Sequence, residues 1–365
     1  MEKVKLSDIC NPKQWKAIST SDLLNEGYPV YGANGIIGYY NEYNHENPVV
    51  TVTCRGATCG SINITVPKAY VTGNAMCLDD LRSDVEIEYL YYCLKHYDFK
   101  NIISGSAQPQ ITRQGMEKIY IMLYSQEEQK DIVNKLKKTE KIIKLTKQEL
   151  QSLDNLVKAR FVEMFNETNA NWKEVTIADI CKDMRTGPFG SALHHDEFVD
   201  EGIFVLGIDN AVENKFSYNR MRYITEEKYE KLKRYTVHPG DVIITIMGTV
   251  GRSAVIPADM PKAINTKHLA CLTPDTNIVD SYFLVNVFQI HPLIRHQLES
   301  QSKGAIMNGL NLTIIKGLKF RLPPLELQKE FVDFYKQIDK SKFIKEIKLS
   351  VFAPIIQYGL IEKKT

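Results

Sequence analysis

The sequence contains none of the short motifs that mark common catalytic centres. It has no G-x-x-x-x-G-K-[ST] phosphate loop, no G-x-S-x-G nucleophile turn and no H-E-x-x-H zinc motif. It also lacks the Asn/Asp-Pro-Pro-aromatic motif of amino-methyltransferases, because its single Pro-Pro pair, Pro323-Pro324, lies between two leucines. The sequence therefore predicts a protein with no catalytic residues of its own.

Long apolar segments are missing as well. No run approaches the roughly 18 residues that are needed to span a bilayer. The N-terminal stretch MEKVKLSDIC does not contain the apolar core of a signal peptide. We therefore expect a cytoplasmic protein.

Cysteines are few and are not spaced for metal binding or redox chemistry. The seven cysteines include no C-x-x-C pair, which is the spacing of many zinc sites and redox motifs. We expect them to be small buried side chains. The adjacent His194 and His195 would point to opposite sides of an extended chain, so they are expected to be solvated or hydrogen-bonded. The sequence thus predicts neither a metal nor a cofactor on this chain.

Length and charge limit the number of domains and the kind of binding surface that the chain can have. The chain has 365 residues, 44% of them hydrophobic and 25% charged, with a formal net charge of +2. These values fit two or three folded domains and exclude a disordered tail. Because the net charge is so small, any binding to nucleic acid must depend on local basic surface.

A long helix is predicted to begin in the segment SQEEQKDIV. Ser125 and Glu128 have the spacing of a capping box, in which each side chain satisfies a free amide of the first turn. Small and apolar residues then recur at alternating spacings of four and three, which predicts a heptad stripe and a helix that ends near Phe165. The stripe consists of Ile132, Leu136, Thr139, Ile143, Thr146, Leu150, Leu153, Val157 and Met164.

A second helix repeats the phrase that opens the first. The sequence ELQKEFV at Glu326 to Val332 matches EEQKDIV at Glu127 to Val133, and prolines replace the capping box. Its apolar face is predicted to include Phe331, Tyr335, Ile338, Ile344 and Ile347. Pro354 is expected to interrupt the helix.

The repetition extends over the whole chain. VKLSDIC at Val4 matches VTIADIC at Val175, and TGNAMCL at Thr72 matches TKHLACL at Thr266. TVTCRGATCGSI at Thr51 is likewise similar to ITIMGTVGRSAV at Ile244. Each copy has short strands broken by glycine turns, with one late helical stretch at Val85–Lys100 or Val279–Leu298. The chain is therefore predicted to be a tandem duplication of a mixed domain followed by a long helix.

Loops in both copies combine glycine with Asn, Gln, Arg and aromatic residues. Glycine lets a backbone approach a surface closely, and Arg, Asn and Gln can pair with base edges in the major groove. Ordinary turn chemistry explains each single loop equally well, and the recurrence in both copies favours a function. The loops are YGANGIIGYYNEYN, SGSAQPQITRQG, RTGPFGSALHHDEF and SKGAIMNGLN.

These segments resemble the specificity (S) subunits of type I restriction-modification systems. YPVYGANGIIGYYNEY and TGPFGSALHHDEFVDEGIFVLGIDN are similar to two varieties of their target-recognition domains. GS-A-Q-P-Q-I-T, followed by a strand and the x-Q-K-x-(I/F)-V phrase, resembles the boundary between such a domain and its conserved helix. The resemblance covers essentially the whole chain.

The resemblance implies an α+β fold with two target-recognition domains separated by two long antiparallel coiled-coil helices, related by a pseudo-two-fold axis. The boundaries would be 1–124 and 167–323 for the domains, and 125–166 and 324–365 for the helices. The domains would read the two halves of a split double-stranded DNA sequence. The helices would dock two methyltransferase (M) subunits, and restriction (R) subunits would join them. S-adenosylmethionine, ATP and Mg²⁺ would belong to those partners.

Ten loop residues are the candidate DNA contacts under this interpretation, some to bases and some to phosphates. They are Arg55, Asn74, Gln108, Gln110 and Arg113 in the first domain, and Arg185, Ser191, Lys267, Lys303 and Asn308 in the second.

Two alternatives stay open at this point. The chain could serve a system whose partner combines nuclease and methylase on one polypeptide. It could also be a coiled-coil scaffold that binds protein and does not read DNA.

Overall fold

The computed structural model describes residues 1–33, 35–105, 108–165, 171–302 and 310–358. These form two compact units, one comprising Met1–Gln148 with Lys345–Thr365 and the other comprising Glu149–Ile344. The division runs through both long helices, and each unit is described by itself. None of the helices in the described ranges combines the length and apolar character that crossing a bilayer would require.

The first unit is built on an antiparallel sheet with the strand order β2-β8-β5-β6. A smaller sheet has the order β4-β3-β7, in which β3 runs antiparallel to β4 and parallel to β7. The strands are β1 (Glu2–Lys5), β2 (Asn11–Gln14), β3 (Tyr28–Gly32), β4 (Gly35–Tyr40), β5 (Val50–Thr53), β6 (Ile62–Ile64), β7 (Tyr70–Val71), β8 (Ala75–Asp79), β9 (Ile103–Ser104), β10 (Gln110–Ile111) and β11 (Tyr120–Leu123). Helices α1 (Ile87–Lys95) and α2 (Arg113–Met116) complete the unit's globular part.

The core of the first unit has two layers because its central strands are buried on both faces. Alternate residues of a strand point to opposite faces. Met76 and Leu78 of β8 therefore pack with Leu90 of α1, whereas Ala75 and Cys77 join the cluster that faces the smaller sheet. The continuous burial of β5 (VTVT) has the same cause.

The second unit repeats this topology. Its main sheet has the order β13-β20-β17-β18, and its smaller sheet has the order β15-β14-β19-β16, with β14 again parallel to one neighbour, β19. The strands are β12 (Glu174–Thr176), β13 (Cys181–Thr186), β14 (Ile203–Leu206), β15 (Tyr223–Ile224), β16 (Thr236–Val237), β17 (Val242–Thr245), β18 (Ser253–Val255), β19 (Ala263–Asn265), β20 (Leu269–Pro274) and β21 (Lys319–Arg321). The helices are α4 (Glu226–Leu232), α5 (Ser281–Ile290), α6 (Pro292–Ser302) and α7 (Leu312–Gly317).

The predicted duplication is confirmed by strand register, with one correction. Ala75 and Leu269 begin equivalent strands, and they pair with Thr53 and Thr245 respectively. Thr53 and Thr245 are therefore equivalent, and the sequence match of Thr51 with Ile244 is wrong by one residue. Register across the sheet fixes the equivalence, because a slip of one residue would turn every side chain to the other face.

The two late helical stretches are also present, but the first is shorter than predicted and the second is interrupted. The first is α1, which ends at Lys95. The second is divided into α5 and α6 at Pro292. Proline has no N–H to continue a helix but suits the first position of a new one.

The first long helix, α3 (Gln126–Met164), has the predicted bounds and cap. Glu128 accepts a hydrogen bond from the Ser125 amide at 3.0 Å, and the Ser125 hydroxyl accepts one from the Glu128 amide at 3.4 Å. Every residue of the predicted heptad stripe is buried or half-buried. In the second unit, ion pairs join Arg160 to Glu330 at 3.1 Å and Asp154 to Lys342 at 2.6 Å. Their order shows that the two long helices run antiparallel there.

The second long helix, α8 (Leu325–Tyr358), corrects two predictions. It continues through Pro354, where the proline removes one backbone hydrogen bond without ending the helix. Ile344 and Ile347 are exposed, and the half-covered face continues instead in heptad steps. Its residues are Lys342, Lys345, Leu349 and Phe352. An apolar pattern alone selected the wrong positions, because the alkyl stem of a lysine can cover a helix seam while its amino group pairs with a neighbour such as Asp154.

The glutamine that recurs in the first turns of both long helices has a structural role. Gln129 is fully buried, accepts a hydrogen bond from the Glu86 amide at 2.8 Å and donates to the carbonyls of Asp84 and Tyr124. Gln328 does the same in the second unit with the Asp280 amide and the carbonyls of Ile278 and Pro323. Each glutamine thereby joins the start of a long helix to the start of the helix that covers the sheet.

Candidate nucleic-acid interface

In the first unit, four predicted site residues meet at one end of the main sheet. The Cys54 amide donates to the Asn74 carbonyl at 3.1 Å, and the Cys54 carbonyl accepts from the Ile111 amide at 3.0 Å. A further bridge pairs Arg55 with Gln110. These bonds bring together the exposed side chains of Arg55, Asn74, Gln108 and Gln110. The cluster offers a cation and three amides, the groups that bind phosphates and base edges.

Gly73 allows the tight packing beneath this cluster. A Cβ at this position would lie 2.9 Å from the Trp15 carbonyl oxygen, so a larger residue would displace the backbone. Gln14 fixes the same turn by donating to the Gly73 carbonyl at 3.0 Å. The role of Gln14 is not evident from the sequence, because it follows from the pairing of β2 with β8.

Arg113 lies apart from the other four. It donates to the Asn11 side chain at 3.1 Å and forms an ion pair with Glu117 at 3.4 Å. Asn11 pairs with Asp79, at the end of β2 that is farther from Asn74. The structure therefore does not bring its guanidinium into the Arg55 cluster.

Two exposed apolar residues that are not among the predicted contacts lie beside the cluster. Ile36 and Ile37, in the hairpin of β3 and β4, are 51% and 42% exposed. The Thr53 hydroxyl donates to the Ala33 carbonyl, which holds the hairpin against the end of β5. The signal in the sequence was two adjacent isoleucines after Gly35, since neighbouring strand residues face opposite ways and a one-sided sheet can bury only one of them.

The equivalent end of the second unit carries Lys267 in the turn between β19 and β20. The segment Gly187 to Phe189 touches this turn, and a Cβ on Gly187 would lie 2.2 Å from the Asn265 carbonyl oxygen. Phe189 is strongly exposed. Ser191 lies in the same loop, in the short 3-10 turn Gly190–Ala192, and its side chain is outside the described set.

The same backbone bond closes both sites. Leu310 donates its amide to the Ile246 carbonyl at 2.9 Å, as Ile111 does to Cys54 in the first unit. Lys303 and Asn308, the two remaining predicted contacts, lie outside the described residues.

Local charge at both sites favours an anion. Among the described residues, neither Arg55 nor Lys267 has an ion-pair partner within 4 Å. Burial, and then the charges of Lys267 and Arg222, lower the pKa of His268. Lys267 and Arg222 thus both act on His268, although Arg222 also pairs with Asp209 at 2.6 Å.

Arg185 has a different environment from the one expected. Its side chain is only 15% exposed and donates to Asp241 at 2.8 Å, to Asp183 at 2.6 Å and to Thr273 at 3.1 Å. Asp241 is itself buried and accepts hydrogen bonds from the His238 amide and from Thr273. The donors of Arg185 are thus occupied inside the domain, so we assign it a structural role and omit it from the proposed DNA contacts.

We expect Arg185→Met to destabilise the second unit. It would leave the buried Asp241 carboxylate without its cation, a loss of about 3–5 kcal/mol in the free energy of unfolding. Lys267→Met is the matched control, since an exposed lysine should change stability by less than about 0.5 kcal/mol. Urea unfolding of both full-length variants measures this. Unchanged stability with lost DNA binding in Arg185→Met would instead make Arg185 a DNA contact.

Two copies of one α+β unit each expose a cation at the same end of the main sheet, Arg55 after β5 and Lys267 before β20, and this arrangement fits a duplicated nucleic-acid-binding protein. A family model for the type I restriction modification DNA specificity domain matches residues 1–155 and 169–351. The chain belongs to this family, and the predicted resemblance is confirmed.

Individual relatives are distant. The EcoBI specificity subunit of Escherichia coli is 26% identical over 168 residues, which are 46% of this chain and 35% of that protein. The MjaVIII specificity subunit of Methanocaldococcus jannaschii is 22% identical over 306 residues, or 78% of this chain and 70% of that protein. The chain thus matches about a third of the first relative's length and a larger share of the second's.

Solved structures support the fold. The S subunit of a type I restriction-modification system from M. genitalium covers 100% of this chain and 96% of its own, with a TM-score of 0.64 at 15% identity. A chain solved in connection with complex assembly and conformational transition of a type I R-M system covers 98% of this chain and 95% of its own, with a TM-score of 0.61 at 17% identity. The predicted α+β tandem fold is therefore confirmed.

Proposed function

We propose that this chain is the DNA-reading subunit of a type I restriction-modification complex and that each unit reads one half of a split sequence. The observation that carries the proposal is that the same end of the main sheet exposes a cation in each unit, Arg55 after β5 and Lys267 before β20. Neither cation has an ion-pair partner among the described residues. Phosphate contacts from such cations position a protein, and neighbouring amides supply base discrimination. Asn74, Gln108 and Gln110 are the amides in the first unit.

The apolar side chains beside the cations add a second kind of base contact to this proposal. Ile36 and Ile37 in the first unit and Phe189 in the second can contact thymine methyl groups, which only the major groove displays. Ser191, Lys303 and Asn308 stay proposed contacts of the second unit.

The test is a footprint of the purified chain bound to its methyltransferase partner. We expect protection of two short blocks of fixed sequence with an unprotected or unread spacer between them. Uniformly weak protection of random DNA would contradict the proposal and favour a protein-binding scaffold. A co-purifying chain that carries both nuclease and methylase would identify the alternative system with a fused partner.

We further propose that the chain is not itself an enzyme and that two M subunits dock on its long helices, with R subunits joining them. S-adenosylmethionine, ATP and Mg²⁺ would then be held by these partners. Support comes from an outward apolar position that recurs in both helices. Leu145 of α3 is 47% exposed with Ile142 one turn earlier, and Ile344 of α8 is 57% exposed beside Phe343. The repeat makes Leu145 and Ile344 equivalent.

We expect Leu145→Glu and Ile344→Glu, combined in one chain, to abolish stable binding of M subunits. Each apolar side chain buried at an interface contributes about 1.5–3 kcal/mol, and a buried carboxylate adds a further cost. The matched control is Lys147→Glu, which changes the charge of an exposed position two residues away, on a different side of the helix. Native mass spectrometry gives the number of M subunits per chain. Two bound M subunits on the double variant would contradict this assignment of the docking surface.

A further inference from the structure

A group of three side chains lies between the two sheets of the first unit, away from the Arg55 cluster. His45, Cys77 and Asp79 have ligand atoms that all lie within 4.8 Å of one another. Among the described residues, this is the one group of three potential metal ligands that lie so close together. Cys77 is fully buried, and the side chains of His45 and Asp79 are 10% and 12% exposed. Cys77 and Asp79 are two residues apart on β8, so they share a face.

The hydrogen bonds of Asn44 determine which nitrogen of His45 carries a proton. The Asn44 amide nitrogen donates to the Val71 carbonyl at 3.0 Å, and its oxygen accepts from the Val71 amide at 2.8 Å. The orientation of Asn44 is thereby fixed, and its oxygen lies 2.7 Å from Nδ1 of His45. Nδ1 must therefore be the protonated nitrogen, because an oxygen can only accept.

The other nitrogen then faces a second acceptor. Nε2 of His45 lies 2.9 Å from Oδ1 of Asp79. A neutral imidazole would place a bare lone pair against a carboxylate oxygen, which is repulsive. A proton between these two atoms, or a metal ion that both atoms bind from one side, removes this repulsion.

The equivalent place in the second unit also balances a buried carboxylate with a cation. Cys271 occupies the position of Cys77, and its thiol donates to Asp241 at 3.3 Å. Arg185 neutralises that carboxylate. The first unit has Lys13 at the position of Arg185, but the Lys13 amino group lies 3.8 Å from the centre of the Trp15 ring. Among the described residues, Lys13 therefore forms no ion pair with Asp79 like that of Arg185 with Asp241, although it lines the same cavity as Asp79.

We propose that His45, Cys77 and Asp79 bind one Zn²⁺ ion as a structural clip between the two sheets of the first unit. Imidazole, thiolate and carboxylate are the ligands that zinc takes in proteins. The partners that orient such ligands are already present, since Asn44 holds His45 and the Trp15 indole donates to Oδ2 of Asp79 at 3.0 Å.

The surroundings of the three side chains are consistent with a bound zinc ion. His45 and Asp79 line a cavity of about 590 Å³ together with Asn11, Asn44 and Glu46, from which water can supply a fourth ligand. Zinc would bind the Cys77 thiolate, and the thiol proton would leave to solvent on binding. The expected occupant is zinc and not magnesium, which avoids sulfur ligands.

The experiment is metal analysis of the full-length chain after chelator treatment and reloading with ZnCl₂ alone. We expect about one zinc per chain and, after loading with Co²⁺, the thiolate-to-cobalt absorption band. Cys77→Ser should remove the band, and His45→Gln should weaken zinc binding at least tenfold. Cys271→Ser is the matched control, since it alters the equivalent cysteine, which belongs to no such group of three ligands among the described residues. Circular dichroism establishes that each variant is folded.

If a variant does not fold, zinc binding by the wild-type chain is the decisive measurement. Failure of the wild-type chain to bind zinc, with both ring nitrogens of His45 protonated in a ¹H–¹⁵N spectrum, would overturn the proposal and assign an imidazolium–carboxylate pair. Zinc binding that raises the unfolding midpoint of the wild-type chain and of Cys271→Ser supports the clip.

Discussion

A chain lengthened by one heptad in both long helices is expected to read the same two half-sites across a longer spacer. The insertion goes between Glu140 and Leu153 of α3 and at the matching positions of α8, between Asp339 and Phe352. Seven residues add about 10 Å of helix, and B-DNA rises about 3.4 Å per base pair. The unread spacer should therefore grow by about two to three base pairs, because we propose that the helices set the distance between the two readers.

The same change should nearly abolish modification of the original sequence. With the original spacer only one half-site can be engaged at a time, and each lost base-pair contact costs about 1–3 kcal/mol. A half-site of a few base pairs therefore represents a loss of about 100-fold or more. Methylation assays on substrates with spacers of stepped length measure both effects.

Two controls make this result specific. Replacing Glu140 to Thr146 with a different heptad of the same pattern keeps the length and should keep the original spacer. Inserting the heptad in α3 alone should impair the pairing that Arg160–Glu330 and Asp154–Lys342 mark. An unchanged spacer in the doubly lengthened chain would refute the proposal that the long helices set the distance between the two half-sites.

The second large effect is expected from Arg55→Ala combined with Gln110→Ala. This variant should lose discrimination in one half-site while the other half-site is still read. A bidentate contact to a base contributes about 1–3 kcal/mol of discrimination, so we expect a relaxation of about 10- to 100-fold at the affected positions. Selection of bound sequences from a randomised pool, with each half-site scored separately, measures it.

Arg113→Ala is the control for this variant. Arg113 is also an exposed arginine of the first unit, but it is held by Asn11 and Glu117. We expect less than about a threefold change, as for a peripheral phosphate contact. Equal relaxation of both half-sites by the Arg55 and Gln110 changes would contradict the assignment of one half-site to each unit.

Local patterns made much of the fold predictable. The capping box of Ser125 and Glu128, the heptad stripe of α3 and the repeated glutamine phrase depend on residues close in sequence. The duplication was visible because its motifs recur in order. These features determined the bounds of α3 and the tandem architecture before any tertiary contact was known.

Features that depend on distant pairing were not predictable in the same way. Arg185 seemed suited to DNA until strand register placed it beside Asp241, 56 residues away. Ile344 and Ile347 look like core residues, yet the half-buried face of α8 includes Lys342, whose amino group pairs with Asp154. The hairpin that holds Ile36 beside the Arg55 cluster depends on a contact between Thr53 and Ala33. Sequence thus located the loops of the candidate site, and tertiary pairing decided which side chains are free.

The most direct test of the central claim is a methylation map of genomic DNA from cells that express this chain with its methyltransferase subunits. The account predicts one modified sequence made of two short specific blocks separated by a spacer of constant length and variable composition. Alteration of Arg55 and Gln110 should change only one block. A single uninterrupted motif, or methylation without sequence preference, would contradict the account.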